Sequence, residues 1–348
     1  MNKATLKTNA LGFTREDYKG RPSTLCPGCG HDSISNQIVS IAYELGLDQH
    51  QLIKMSGIGC SSKTPAYFLG RSHGFNTVHG RMPSVVTGAT LANHDLTAIA
   101  VSGDGDTGSI GLGQYKHLIR RNVPMVYIIE NNGVYGLTKG QFSATADEGQ
   151  TLKYYGRNDL PAIDLALEAV IGGCTFVARS FSGDAKQVQA LMKAAIGHRG
   201  TAVIDIVSPC VTFNNEDSST KSYGYGKANE VPLHEIHYFA PDYVAPQPEI
   251  TLDGDYAGAM TVELHNGATV RLQKLGNDHD PRNRRQAIDV LENAARDNTF
   301  MTGLIYYEEP RMTLGETLHL TDAPLTALPE SKLRPSRDAL ATLMQKYM

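Results

Sequence analysis

Apolar and polar positions alternate in two rhythms along the first two-thirds of the chain. Five compact apolar runs, at residues 51–56, 96–102, 124–130, 175–179 and 201–208, read as strands. Between them, residues 33–45, 83–92, 110–120, 161–171 and 185–197 carry apolar residues at helical spacing. A strand covered on both faces reads as a continuous apolar run, and strands alternating with helices favour parallel pairing. The pattern therefore predicts an α/β fold, a mainly parallel sheet with helices on both faces. Polar, glycine-rich segments follow the strands at 57–60, 103–105 and 131–133, at the sheet edge where open α/β folds bind ligands.

The rhythm changes near Asn215. Residues 215–226 are polar and rich in Ser and Tyr, and read as a linker or mobile loop. Residues 260–275 alternate as a hairpin turning at Asn266-Gly267, 284–297 form an amphipathic helix, and 336–348 form a terminal helix with Ser336 as its N-cap. Proline-containing stretches at 241–248 and 323–335 read as arms that embrace a partner. The chain is thus divided into residues 1–215, which hold the candidate chemistry, and a C-terminal extension, 216–348, expected to serve a subunit interface.

Composition narrows the function. A net charge of −4 over 348 residues provides no basic footprint for nucleic acid. No apolar run approaches membrane-spanning length. The first residues, Met1-Asn2-Lys3-Ala4-Thr5, have no apolar signal core, so a cytoplasmic location is expected. Five cysteines in a large chain of this kind argue against a disulfide framework and for metal ligands, catalytic thiols or core residues.

Two constellations carry chemistry. In the first, Gly103-Asp104-Gly105 and Asn131-Asn132 each end a predicted strand, one helix apart. Alone, Gly-Asp-Gly is an ordinary turn. Paired, Asp104 and Asn132 present two oxygens at one sheet edge, and the Val134 carbonyl adds a third. Such hard oxygen donors suit Mg²⁺ bound to a diphosphate, and the following helix N-terminus favours anionic charge. The motif resembles the magnesium–diphosphate signature of thiamine-diphosphate enzymes. In the second, Cys26-Pro27-Gly28-Cys29-Gly30-His31, Cys60 in Gly57-Ile58-Gly59-Cys60-Ser61, and Cys210 in Ser208-Pro209-Cys210 supply four thiols. Soft thiolates hold iron–sulfur clusters or zinc, and a lone CxxC is equally half a zinc site or a redox pair. Cys174 opens an apolar strand and reads as a core thiol.

These motifs, with His79-Gly80-Arg81 and Val134-Tyr135-Gly136-Leu137-Thr138-Lys139-Gly140-Gln141, occur in an order that resembles the β subunit of 2-oxoacid:ferredoxin oxidoreductases, particularly the 2-oxoglutarate type, over roughly residues 20–215. The resemblance implies a thiamine-diphosphate-binding fold and a domain, 1–215, that also binds iron and sulfur. It implies that Cys26, Cys29, Cys60 and Cys210 bind one [4Fe–4S] cluster, and that Asp104, Asn132 and the Val134 carbonyl hold magnesium. Ile58, Gly59, Cys60, Ser61, His79, Gly105, Asp106, Gly136 and Leu137 would line thiamine diphosphate. The implied reaction converts a 2-oxoacid, foremost 2-oxoglutarate, and coenzyme A to an acyl-CoA (succinyl-CoA), CO₂ and reduced ferredoxin. Pyruvate or a broad range of 2-oxoacids, or a non-redox thiamine-diphosphate decarboxylase, are the alternatives.

Lys63, three residues past Cys60, is a solvated lysine, a diphosphate contact or a cation for a substrate carboxylate. In the last case it is catalytic, with Leu137 as an apolar wall beside it. His31 and His79 sit inside motifs and are candidate cofactor contacts; the other ten of the 12 histidines carry no motif. Thiamine enzymes need a carboxylate on the pyrimidine ring, and no second α/β domain is visible here to carry it. The resemblance therefore implies an α subunit bearing that glutamate and coenzyme A contacts, in an αβ or (αβ)₂ assembly, with ferredoxin as acceptor.

Overall fold

The computed structural model of the protein describes residues 7–241, 259–275, 279–309 and 311–347. Its centre is an eight-stranded sheet. Four strands lie in the first half: β1 (Leu52–Ser56), β2 (His73–Asn76), β3 (Thr97–Gly103) and β4 (Met125–Asn131). Two short hairpins follow, β5 (Val134–Tyr135) with β6 (Gln141–Phe142) and β7 (Thr151–Leu152) with β8 (Gly156–Arg157). Then come β9 (Phe176–Phe181), β10 (Thr201–Val207), β11 (Glu230–Pro232) and β12 (His234–Phe239). The last strands are β13 (Ala259–Glu263), β14 (Thr269–Lys274) and β15 (Phe300–Tyr307). The central order is β11-β15-β9-β10-β4-β3-β1-β2, while β12, β14 and β13 form a separate antiparallel sheet.

From β9 to β2 all pairings are parallel, whereas β15 runs antiparallel to β9. Successive side chains of a strand point to opposite faces. Val126 and Ile128 of β4 thus enter one core, while Tyr127 and Ile129 enter the other. The first core is closed by α1 (Gly30–Glu44) and α5 (Ala185–Gly197) with the small sheet. The second is closed by α2 (Met82–Ala92), α3 (Leu112–Arg120), α4 (Leu165–Gly172) and α7 (Arg284–Arg296). Each fully buried Leu, Ile or Phe contributes roughly 1.5–3 kcal/mol.

Local sequence sets the helix ends. Asp164 caps α4 by accepting from Leu167 N at 2.9 Å, and Asp184 caps α5 by accepting from Gln187 N at 3.0 Å. The hairpin expected at 260–275 forms as β13 and β14, and Ser336 caps the helix Arg337–Gln345 through Ala339 N at 3.0 Å.

The structure differs from the sequence reading in the C-terminal part. Residues 216–348 do not only wrap outward: β15 and α7 belong to the central sheet and its second core. The polar segment 215–226 is fastened rather than loose. Asp147 accepts from Thr220 N at 2.8 Å and from Lys221 Nζ at 3.1 Å, and Ser222 caps the helix α6 (Tyr223–Asn229). The arm expected at 241–248 lies, but for Pro241, outside the described residues. Among the described residues no helix is long and apolar enough to cross a membrane.

Candidate active site

The parallel strands β1, β3, β4 and β10 all end at one edge of the sheet, and their C-terminal loops supply the site. Loop 57–60 follows β1, Asp104 follows β3, Asn132 follows β4, and Cys210 follows β10. Loop 26–29 leads into α1, with Cys29 as its N-cap residue. One cavity results. It is lined by every residue expected from the sequence to touch the cofactor, together with Asp104, Asn132 and Val134. Lys63, Cys26, Cys29 and Cys210 do not line it.

Asp106 ties the cavity wall together. Its Oδ1 accepts from Ile58 N at 3.1 Å and Gly80 N at 2.7 Å and contacts His79 Nδ1, while Oδ2 accepts from Ser102 Oγ at 2.6 Å. Both oxygens are committed within the protein, so its role here is to hold three loops in register. Gly57 is required for this approach: a Cβ there would stand 1.7 Å from Asp106 Oδ2. Asp106→Ala orphans buried amides from two loops, each costing about 1–3 kcal/mol. A fall in thermal midpoint with a more than tenfold loss of thiamine-diphosphate affinity is expected. A wild-type thermal scan and calorimetric titration would contradict it.

Asp104 is buried. Its Oδ2 accepts from Gly133 N at 3.1 Å, Thr145 Oγ1 at 2.6 Å and Ser143 Oγ. Its Oδ1 has only a 3.4 Å contact with Asn132 N. Burial raises its pKa, against the lowering effect of the Ser143 and Thr145 hydrogen bonds. A buried carboxylate with one oxygen anchored and the other open fits a divalent cation, which would supply the missing countercharge. The Thr145 hydroxyl also lies 2.9 Å from Asn131 Oδ1, and Asn131 Nδ2 donates to Asp205 at 3.0 Å. Asp205 in turn pairs with Arg179 at 3.2 Å.

The neighbouring imidazole is defined by its partners. Asn132 Oδ1 accepts from Val134 N at 3.0 Å, which leaves Asn132 Nδ2, 3.3 Å from His31 Nε2, as donor. His31 Nδ1 then carries the proton and points at Ser208 Oγ, 2.6 Å away. Burial lowers the His31 pKa to about 4, so the ring is neutral.

The four thiols gather beside this cavity. A Cβ at Gly136, a cavity residue, would lie 3.5 Å from Cys60 Sγ and 3.6 Å from Cys210 Sγ. Thr212 Oγ1 donates to Cys26 Sγ at 3.4 Å, across the same loops. Burial, with repulsion from neighbouring thiols and Glu130, pushes Cys29 up to about 12 and Cys60 to about 11, and it raises Cys210. Such thiols are protonated until a metal displaces the proton. Among the described residues, no three His, Cys, Asp or Glu side chains converge on a single ion position. Four thiols carried by three loops suit an iron–sulfur cluster in their chemistry. Cys174 is a buried core thiol whose Sγ contacts the Thr201 carbonyl at 3.2 Å.

Lys63 sits outside the cavity, its Nζ donating to the Thr24 carbonyl at 3.1 Å. Leu137 lines the cavity mouth with half of its surface exposed. Arg81 braces loop 79–81, directing Nη1 at the Ile110 carbonyl at 3.3 Å. Glu130 escaped the sequence reading. It is fully buried, it lines the cavity, neither carboxylate oxygen has a hydrogen-bond partner, and burial raises its pKa well above the ordinary range. The available signal was an ionisable residue ending an otherwise apolar strand just before Asn131-Asn132.

A parallel α/β sheet with a carboxylate–amide oxygen pair at its carboxyl edge is an arrangement that suits a thiamine-diphosphate-binding protein. The family model described as thiamine pyrophosphate enzyme, C-terminal TPP binding domain, matches residues 56–206. The chain belongs to the 2-oxoacid:ferredoxin oxidoreductase β-subunit family. It is 44% identical over 199 residues to such a subunit from Sulfolobus sp, covering 57% of this chain and 65% of that protein. It is 41% identical over 219 residues to the 2-oxoglutarate oxidoreductase subunit KorB of Mycobacterium tuberculosis, covering 60% of this chain and 57% of that one. Against the 2-oxoglutarate synthase subunit KorB of Methanothermobacter marburgensis, identity is 30% over 294 residues, 83% of this chain and 97% of the relative. The match thus spans less than two-thirds of the first two relatives and nearly all of the third. A solved structure of 2-oxoglutarate:ferredoxin oxidoreductase from Magnetococcus marinus, with 2-oxoglutarate, coenzyme A and succinyl-CoA bound, aligns with a TM-score of 0.70 at 29% identity. That alignment covers 95% of this chain and 100% of the other.

Proposed function

We propose that this chain is the thiamine-diphosphate- and [4Fe–4S]-binding subunit of an enzyme that converts 2-oxoglutarate and coenzyme A to succinyl-CoA and CO₂, passing two electrons to ferredoxin. The observation that carries this reading is Gly136, which lines the cofactor cavity and abuts two of the four thiols, Cys60 and Cys210. Electrons released at the coenzyme would then have a short route to the cluster. Bound thiamine diphosphate supplies carbanion stabilisation at the 2-oxo carbon, and the cluster accepts electrons singly.

The chain's own residues supply binding and orientation. Asp104, Asn132 and the Val134 carbonyl would hold Mg²⁺, and Asp106 keeps loop 57–60 and His79 at the cavity wall. Gly105 leaves room beside the Tyr135 ring, where a Cβ would collide at 2.5 Å. Leu137 offers an apolar wall to the substrate. Lys63 is proposed to meet the distal carboxylate of 2-oxoglutarate, which requires its Nζ to leave the Thr24 carbonyl. The pyrimidine-activating glutamate and the coenzyme A contacts are assigned to an α subunit in an αβ or (αβ)₂ assembly. The relatives named for 2-oxoglutarate support that substrate over pyruvate.

The test is composition. Purified anaerobically with its co-expressed partner, the complex should hold about four irons, about four sulfides and about one thiamine diphosphate per β chain. Cofactor without iron would move the assignment to a non-redox thiamine enzyme. In the same preparation, Lys63→Ala should raise KM for 2-oxoglutarate more than KM for pyruvate; equal changes would remove the distal-carboxylate role.

A further inference from the structure

Next to the cofactor cavity, on the other side of loop 60–63, lies a second concavity of ≈ 780 Å³. Its lining includes Lys19, Arg21, Lys54 and Lys63, and no Asp or Glu. Two of these cations are held by carbonyls: Lys54 Nζ donates to Phe68 O at 2.6 Å and Leu69 O at 2.8 Å, and Lys63 donates to Thr24 O. Lys19 shares an exposed pair with Glu16 at 2.7 Å. Arg21 is exposed and has no side-chain ion pair among the described residues. Lys54 is buried beneath the groove floor, so the groove presents the charge of Arg21 and Lys63, which form no side-chain ion pair among the described residues, beside the paired Lys19.

Two further features give the groove the footprint of a protein. Its outer wall is β2, the last strand of the central sheet, and all four residues of β2 are exposed. An edge strand of this kind has unpaired backbone groups. Phe75, in the middle of β2, lines the groove with 55% of its surface exposed. A small inorganic anion has no use for an aromatic ring and an open strand edge.

The groove's place relative to the thiols selects among proteins. Thr24 and Lys63 line it, two residues from Cys26 and three from Cys60. Cys26 is the exposed member of the four thiols. Permanent subunit interfaces are depleted of charge at their centre, whereas charged rims serve fast, steered and reversible encounters. We propose that this cationic groove and the β2 edge form the docking site for an acidic iron–sulfur electron carrier. The proposal rests on the function given above and adds the face at which its electrons leave. When the 2-oxoacid and the thiol of coenzyme A become acyl thioester and CO₂, two electrons and one proton are released. The proton passes to solvent. Each docked carrier, reduced at its own cluster, removes one electron, so one turnover requires two encounters.

The αβ holoenzyme tests this with Lys19→Glu/Arg21→Glu and, because Lys19 is paired with Glu16, with Arg21→Glu alone. Methyl viologen, a small cation that needs no docking site, monitors the reaction centre. An acidic [4Fe–4S] ferredoxin monitors docking, by calorimetric Kd at low and high salt and by steady-state KM. The expected result is an unchanged viologen rate, with ferredoxin Kd and KM raised about tenfold at low ionic strength and a flattened salt dependence. Unchanged ferredoxin binding with intact viologen reduction overturns the proposal. So does loss of the α subunit on gel filtration, which would give the groove to that subunit. If the wild-type complex does not reduce viologen at all, the failure belongs to the proposed function and not to the docking site, since the ferredoxin Kd is measured separately.

Discussion

Asp104→Ala is expected to weaken thiamine-diphosphate binding by at least about a hundredfold in the presence of Mg²⁺, the largest loss anticipated for any single side chain of the cavity. Two effects combine. The substitution removes a proposed cation ligand, and it leaves Gly133 N, Ser143 Oγ and Thr145 Oγ1 without the oxygen they share. Thr145 keeps Asn131 Oδ1 as an acceptor, but the buried Gly133 amide loses its partner at about 1–3 kcal/mol, so the apoprotein should also melt earlier. Asp104→Asn separates the two effects. Its amide retains the shape and one oxygen but loses the charge, so stability should recover more than Mg²⁺-dependent affinity. Calorimetric titration of thiamine diphosphate at several Mg²⁺ concentrations measures both variants. If Asp104→Asn binds the cofactor like the wild type, Asp104 is not the cation's anchor.

Cys210→Ala should produce the opposite dissection: iron falls from about four to near zero per chain, and electron transfer to any acceptor is lost. Thiamine diphosphate should still bind within a few-fold of wild type, because Cys210 does not line the cofactor cavity and reaches it only across Gly136. Cys60 is a poorer choice because it also lines the cavity. Iron analysis, the visible absorption of the cluster and cofactor titration on one preparation decide the matter. Retained iron after Cys210→Ala would exclude this residue from the ligand set.

Parallel strands buried on both faces were legible because nothing interrupts their apolar runs. β1, β3, β4 and β10 lie within a residue of the expected limits. β2 was not legible. His73-Gly74-Phe75-Asn76 is an exposed edge, and an exposed strand has no apolar run to read. β15 was missed for a different reason. Its residues, Phe300–Tyr307, are apolar enough, but they directly follow an amphipathic helix outside the strand–helix alternation of the first two-thirds, and their pairing is irregular, with a shift in register between Leu304 and Tyr306. Within the candidate site, the paired Gly-Asp-Gly and Asn-Asn segments and the thiol spacing could be read because they are short motifs placed where predicted strands end. What holds them in place was not visible. The contacts of Asp106 with Ile58 and Gly80, and of Asp104 with Ser143 and Thr145, join residues that only the folded chain brings together.

The antiparallel strand β15 also sets the order in which the molecule is completed during synthesis. All four thiols and the whole cofactor cavity lie in residues 26–210, and that part emerges from the ribosome first. Yet β9 then has a bare flank, for its partner on that side arrives only with residues 300–307. At ~5–20 residues per second, the gap corresponds to several seconds or more of translation. Throughout that interval the nascent chain carries a nearly finished site on a sheet whose edge remains open to other strands. The distal third of the chain thus acts as a late seal, and its arrival covers the flank of β9.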